Sequence, residues 1–242
     1  MVVLIHKTNL QDMPIVANLK PRLDAVLARL QAAVATSLAR TLPSASPEHD
    51  AASARCLHVT SLVGDLSLAN SAVRQHLIAP ALMPAVASIS AGALLPAFLA
   101  TAQEDLEPVL ERLLAMPAHH PDLQAVFEPL GACVLAEVHS TMMAHLPAAF
   151  SAGVPATFHA NYTACTRFVA WLEGRALSSA AVFSLREGPA YAAFFKAWSL
   201  PVYMSLRFQE IAGAHTTVNI FQPKYQLGGP VFFPYFISNK IK

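Results

Sequence analysis

Histidines are the first residues in this 242-residue chain that could hold a metal or carry a proton. His119 and His120 are adjacent, but they sit between Pro117 and Pro121 and read as a solvated turn rather than a ligand pair. His139 and His145 are six positions apart. That spacing turns them to different helix faces, unlike the four-residue step by which two histidines grip one zinc ion. Met142 and Met143 between them read as core filling. Cys56, Cys133 and Cys165 are odd in number and far apart, which suits neither a disulfide framework nor a zinc site. They are expected to be buried thiols of a reducing compartment.

Other chemistry is missing as well. The sequence holds no Gly-x-Gly-x-x-Gly or Walker phosphate loop and no Gly-x-Ser-x-Gly nucleophile elbow. Asn161-Tyr162-Thr163 matches a glycosylation triplet, but it lies within a helical stretch. The chain opens MVVLIHKTNLQDMP, without the pattern of a signal peptide, so the triplet is expected to stay unmodified. Arg207 and Glu210, three apart, are expected to pair on a helix surface for about 0.2–0.5 kcal/mol. No catalytic, cofactor or metal site is expected, and no small-molecule substrate.

Composition narrows the classes further. Sixteen basic and fifteen acidic residues leave a net charge of +1, which gives no electrostatic footprint for nucleic acid. Residues 77–103, LIAPALMPAVASISAGALLPAFLATAQ, carry no charge and are long enough to cross a bilayer. Pro80, Pro84 and Pro96 interrupt the run, with Ser88, Ser90 and Gly92 among them. Two buried helices joined near Ser90-Ala91-Gly92 fit it better. An alanine-rich membrane protein spanning near 77–101 is the alternative from another class, and a helical enzyme without a recognisable motif is a second.

The elements read as helices almost throughout. Leu23, Val26, Leu27, Leu30, Val34, Leu38 and Leu42 recur at three- and four-residue steps, one apolar helix face. A second helix starts at Pro47-Glu48, and others follow at roughly 66–80, 82–90, 93–101, 103–116 and 122–145, the last disturbed at Pro129-Leu130-Gly131. Pro155 opens a helix carrying Phe158, Tyr162, Cys165, Phe168, Val169 and Leu172, stopped at Gly174. The class is all-α: an irregular segment 1–19, a helical domain 20–213 and an irregular tail 214–242.

One stretch stands apart, FKAWSLPVYMSLRFQEIAG at 195–213. Pro201 predicts a kink or restart, with Ser199 placed to cap a new helix and Gly213 to end it in the left-handed conformation. Leu200, Met204, Phe208 and Ile211 form one stripe, with Tyr203 and Arg207 beside it. Trp198, Tyr203 and Phe208 are expected in the core.

This stretch resembles the W-x-LPVY-x-x-x-RF-x-EIAG segment of the subunit 2 family of the conserved oligomeric Golgi complex. FHANYTACTRFVAWLEG at 158–174 is also similar to that family, and 55–150, with LPAFLATAQEDLEPVLERLL, is less specifically so. The motif residues carried over are Trp198, Leu200, Pro201, Val202, Tyr203, Arg207, Phe208, Glu210, Ile211 and Gly213. The resemblance implies an elongated antiparallel helical rod of the multisubunit tethering-complex type. It implies a non-catalytic scaffold in retrograde intra-Golgi vesicle transport and Golgi maintenance, peripheral on the cytosolic face of the Golgi. Implied partners are the other subunits of the complex, with SNAREs, Rab GTPases and golgins. Set against that resemblance, the family's amino-terminal coiled coil is expected to be lacking, and a departure from the family is expected after about His215. A fragment, a splice form or a gene model running into non-coding sequence is expected.

Overall fold

Prolines, serines and glycines place the helix ends. The computed structural model describes residues 14–120, 123 and 126–220. Helix α1, Pro14–Thr41, turns tightly into α2, Pro47–Val63. Ser46 caps α2 by accepting from the His49 N–H, and Pro47 occupies the first turn, where no N–H is needed. Gly64 ends α2 with φ +81°, a conformation that a side chain would strain, and Asp65 N–H reaches back to the Thr60 carbonyl. Asp65 then caps α3, Leu66–Val73, through the Leu68 N–H.

The uncharged run after α3 breaks where its prolines and glycine stand. A π-helical turn, Arg74–Ile78, leads into the single turn Ala79–Ala81, then α4, Met83–Ser90. Gly92, at φ +95°, terminates α4, and Ala93 N–H bonds to the Ser88 carbonyl. Helix α5, Leu95–Ala115, follows. Leu77, Ile78, Leu82, Ala85, Leu95, Phe98 and Leu99 from this run lie in the core. No helix among the described residues is long and apolar enough to cross a membrane. The predicted break between 93–101 and 103–116 is absent. One continuous stripe, from Leu95 through Phe98, Ala102, Leu106 and Leu110 to Leu113, holds α5 against the core.

A 3-10 turn, Met116–His119, follows α5, and a π-helical segment, Leu130–Leu135, runs into α6, Ala136–His145. The disturbance expected at Pro129-Leu130-Gly131 is this π segment. The Glu128 carboxylate accepts from the Gly131 and Ala132 N–H groups at its start. A 3-10 turn, Pro147–Phe150, leads to α7, Pro155–Glu173, and then to α8, Ser179–Glu187. Helix α9, Pro189–Lys196, and α10, Leu200–Ile220, complete the fold. The architecture is all-α, a rod of packed helices, and no strand occurs among the described residues.

Two boundaries differ from the sequence reading. Helix α1 already begins at Pro14, inside the segment expected to be irregular; residues 1–13 lie outside the described residues. Helix α10 runs straight through Gly213 to Ile220 rather than stopping there. Gly213 is not among the glycines with positive φ. Glycine permits a left-handed stop without imposing one. The remainder of the expected tail, 221–242, lies outside the described residues.

One guanidinium ties the first hairpin to the rest. Arg112 on α5 donates to the carbonyls of Leu42 and Ser44 at 2.8 and 2.7 Å, and to Asp50 Oδ1 at 2.6 Å. It thereby satisfies carbonyls that the end of α1 leaves without helical partners. Arg74, at the start of the first π turn, ties it to α6 by pairing with Glu137 at 2.8 Å.

Candidate functional site

The restart at Pro201 is built on rings. The Ser199 carbonyl accepts from Tyr203 N–H, which makes Ser199 the cap position, and Pro201 sits in the first turn of α10. Trp198, only 4% exposed, ends the preceding turn with its N–H on the Phe195 carbonyl. Its indole lies 4.8 Å from Phe150, 5.3 Å from Phe158 and 5.4 Å from Tyr162 by ring centroids. Tyr203 stacks on Phe158 at 4.9 Å. On the other side, Phe195 meets Tyr162, Tyr191 and Phe194. The aromatic residues of 191–203 thus staple α9 and the start of α10 onto α7 and the 147–150 turn.

His139 belongs to the same cluster, edge-on to Phe194 at 5.6 Å and Phe150 at 6.3 Å. Burial among these rings holds its imidazole below the ordinary histidine range. Its Nε2 has no hydrogen-bond partner, and neither does the Trp198 Nε1. The cluster is therefore apolar in function, without a charged or nucleophilic group aimed into a cavity.

Beyond Tyr203 and the half-buried Leu206, α10 leaves the body of the protein. Phe208 is 65% exposed, which corrects its placement in the core. Leu200, Val202, Met204 and Ile211 are exposed with it. Pro201 faces solvent at the restart, and Arg207 pairs with Glu210 at 2.5 Å on the helix surface, as its spacing predicted. The motif therefore splits: Trp198 and Tyr203 turn inward, while Leu200, Val202, Phe208 and Ile211 turn outward.

The other residues weighed for chemistry assemble nothing reactive. His120 is half-buried and stacks on His58 at 4.6 Å, which replaces the solvated turn expected for it; the His119 side chain lies outside the described residues. His145 and Met143 are exposed, and Met142 is buried. Cys133 and Cys165 are free, buried thiols; burial pushes Cys165 up to about 12 and Cys133 higher still, so neither forms a thiolate at neutral pH. Asn161 is 6% exposed and donates to the Ala149 carbonyl, so its amide is committed to the fold. Burial raises the Glu128 carboxyl although backbone N–H groups oppose the shift. No group of three or more His, Cys, Asp or Glu among the described residues could hold a metal ion.

Sequence reasoning missed the Arg112 clamp and the His139 cage. Both depend on which distant elements meet, and the one sequence signal for Arg112 is that it is the single basic residue of α5.

Fold and site define a helical, aromatic-stapled scaffold with an exposed apolar helix at one end. In sequence, the chain resembles conserved oligomeric Golgi complex subunit 2. It is 27% identical to that protein from Homo sapiens over 227 residues, 86% of this chain and 29% of the human protein. It is 45% identical to the Arabidopsis thaliana protein of the same name over 89 residues, 37% of this chain and 12% of the plant protein. The chain thus spans less than a third of these relatives. No family model matches it, and no solved structure does.

Proposed function

We propose that the chain is a non-catalytic scaffold subunit of the Golgi vesicle-tethering complex, serving retrograde intra-Golgi transport and Golgi maintenance. The observation that carries this reading is the likeness to the human subunit across 86% of the chain. The helical rod supports it by offering long faces without a reactive centre. On this reading the inward motif residues, Trp198 and Tyr203, fix the angle of α10. The outward ones, Leu200, Val202, Phe208 and Ile211, meet other subunits of the complex. SNAREs, Rab GTPases and golgins are further contacts of the assembled complex. The protein sits peripherally on the cytosolic face of the Golgi, held by protein contacts.

Co-purification tests the proposal. The tagged chain, expressed in cells, should bring down other subunits of the complex. It should also come off Golgi membranes in carbonate. Phe208→Asp should weaken recovery of the subunits while leaving the chain folded. Recovery of none of them, with the chain folded, overturns the assignment.

A further inference from the structure

A cleft of about 380 Å³ opens where the end of α5, residues 126–130 and the start of α8 meet. Leu114, Phe127, Leu130, Leu177 and Ala181 give it apolar walls. Its size lies within the ~300–1,000 Å³ of ligand-binding pockets, which are mostly apolar with a few polar groups. Apolar surface runs on past the rim: Val126 is 51% exposed, Leu177 61%, and Phe183, also on α8, 67%. An enclosed small molecule leaves that rim in water, whereas an extended chain covers it.

Glu128 is the one ionisable residue in the wall. It joins none of the ion pairs among the described residues, and burial raises its carboxyl. The Gly131 and Ala132 N–H groups, at 2.9–3.2 Å, pin the carboxylate in place. A carboxylate offers about four lone-pair sites, so these two donors leave room for another. Gly131 makes the close fit possible, since a Cβ there would stand 2.7 Å from Glu128 Oε2. The π-helical segment Leu130–Leu135 begins at this wall, and such segments recur at functional sites.

The cations nearest in sequence to the wall are taken: Arg112 by Asp50, Arg175 by Glu107 and Arg186 by Glu173. An anionic ligand therefore finds no partner in the cleft. A cationic one gives Glu128 the counter-charge that a half-buried carboxylate lacks here.

We propose that this cleft docks a short extended segment of another protein, with apolar side chains against Leu130 and Leu177 and a lysine or arginine on Glu128. The inference rests on the cleft between α5 and α8 and is independent of the Golgi assignment.

The test uses the full chain and two fluorescein-labelled octapeptides of leucine, phenylalanine and glycine, one carrying two lysines and the other two glutamates. By fluorescence anisotropy the lysine peptide should bind about tenfold or more tightly than the glutamate peptide, as a hydrogen bond to a charged group implies. Glu128→Gln keeps an acceptor for the Gly131 N–H and removes the charge, so it should erase most of that difference. Ala180→Trp, at an exposed position on the wall, should block the lysine peptide while leaving the thermal melt unchanged. Leu177→Ser, at a side chain 61% exposed, should weaken it likewise and decides the matter if the tryptophan shifts the melt. Equal affinity of the parent chain for both peptides, or lysine-peptide binding indifferent to these variants, overturns the proposal. So does a dimer seen by sedimentation and lost in Ala180→Trp, which assigns the cleft to a second copy. Binding of octylammonium that Ala180→Trp abolishes, with neither peptide bound, assigns it to small amines and overturns the proposal equally.

Discussion

Truncating Trp198 to alanine tests whether the aromatic staple holds the fold or merely decorates it. The indole is 4% exposed and touches three rings from two other elements, within 4.8–5.4 Å of centroid. Its Nε1 has no partner, so truncation breaks no hydrogen bond, and the loss is apolar transfer plus the cavity left behind. Large aromatic truncations of this kind cost ~3–5 kcal/mol. Phe150 stands on the 147–150 turn, and Phe158 and Tyr162 stand one turn apart on α7, so little collapse can close the cavity and the upper half of that range applies. At 2–4 °C per kcal/mol for a chain of this size, the melting temperature should fall by roughly 8–20 °C. Trp198→Phe keeps a ring and removes an unsatisfied donor, so it should cost less than about 1.5 kcal/mol. Phe208→Ala, at a side chain 65% exposed, should stay within about 0.5 kcal/mol of the parent. Urea unfolding followed by far-UV circular dichroism measures all three. Equal stability of Trp198→Ala and Phe208→Ala would refute the division of the motif into inward and outward halves.

Gly213→Ala should stabilise α10 by up to about 1 kcal/mol, because the helix passes through this position and an added Cβ meets nothing within 4 Å. A loss of stability in the same urea titration would restore the left-handed stop. Arg112→Met should cost ~1–3 kcal/mol, since it leaves the part-buried Asp50 and the carbonyls of Leu42 and Ser44 without their donor. Arg112→Lys should rescue only part of this, because an ammonium cannot fork across three acceptors, and thermal melts of the two variants decide it. His139 resists protonation when folded, so its unfolded form binds the proton first as pH falls through about 6.5. Its contribution to stability is therefore full above that pH and lost below it, and His139→Phe should flatten the decline in melts at pH 5–7.5.

Periodicity and punctuation made most of the helices legible. Pro47, Pro155 and Pro189 sit in first turns, and Gly64 and Gly92 sit at left-handed ends, because those residues have few other uses at such positions. Gly213 shows where that logic stops. A glycine in a strongly helical neighbourhood passes through a helix at a modest cost, and sequence alone does not separate the two cases. A period of 3.6 likewise identifies a face but not what covers it. Leu23 through Leu42 read as one apolar helix face, yet only the part from Val34 onward is in the core. Phe208 was misplaced for the same reason: its stripe is regular, but α10 has already left the bundle. Within 198–213, Trp198, Pro201 and Tyr203 answer one packing problem, the restart at Ser199, while Phe208 takes no part in it.

The two exposed stripes are the main energetic irregularity of the molecule, and they lie on its first and last described helices. Leu19, Val26 and Leu30 on α1, and Leu200, Met204, Phe208 and Ile211 on α10, keep large apolar groups in water. Scattered single residues of this kind are ordinary, but runs along one helix face mark contact surfaces. Each stripe is held at a fixed angle by a polar or aromatic device at its base. For α1 the device is the Gln31–Asp65 bond, and for α10 the Trp198 ring cluster. Rigid bases let an exposed face meet a partner without first ordering itself, which lowers the entropy cost of association. Two apolar faces presented in this way, with no reactive cluster beside them among the described residues, are what the proposed scaffold role calls for.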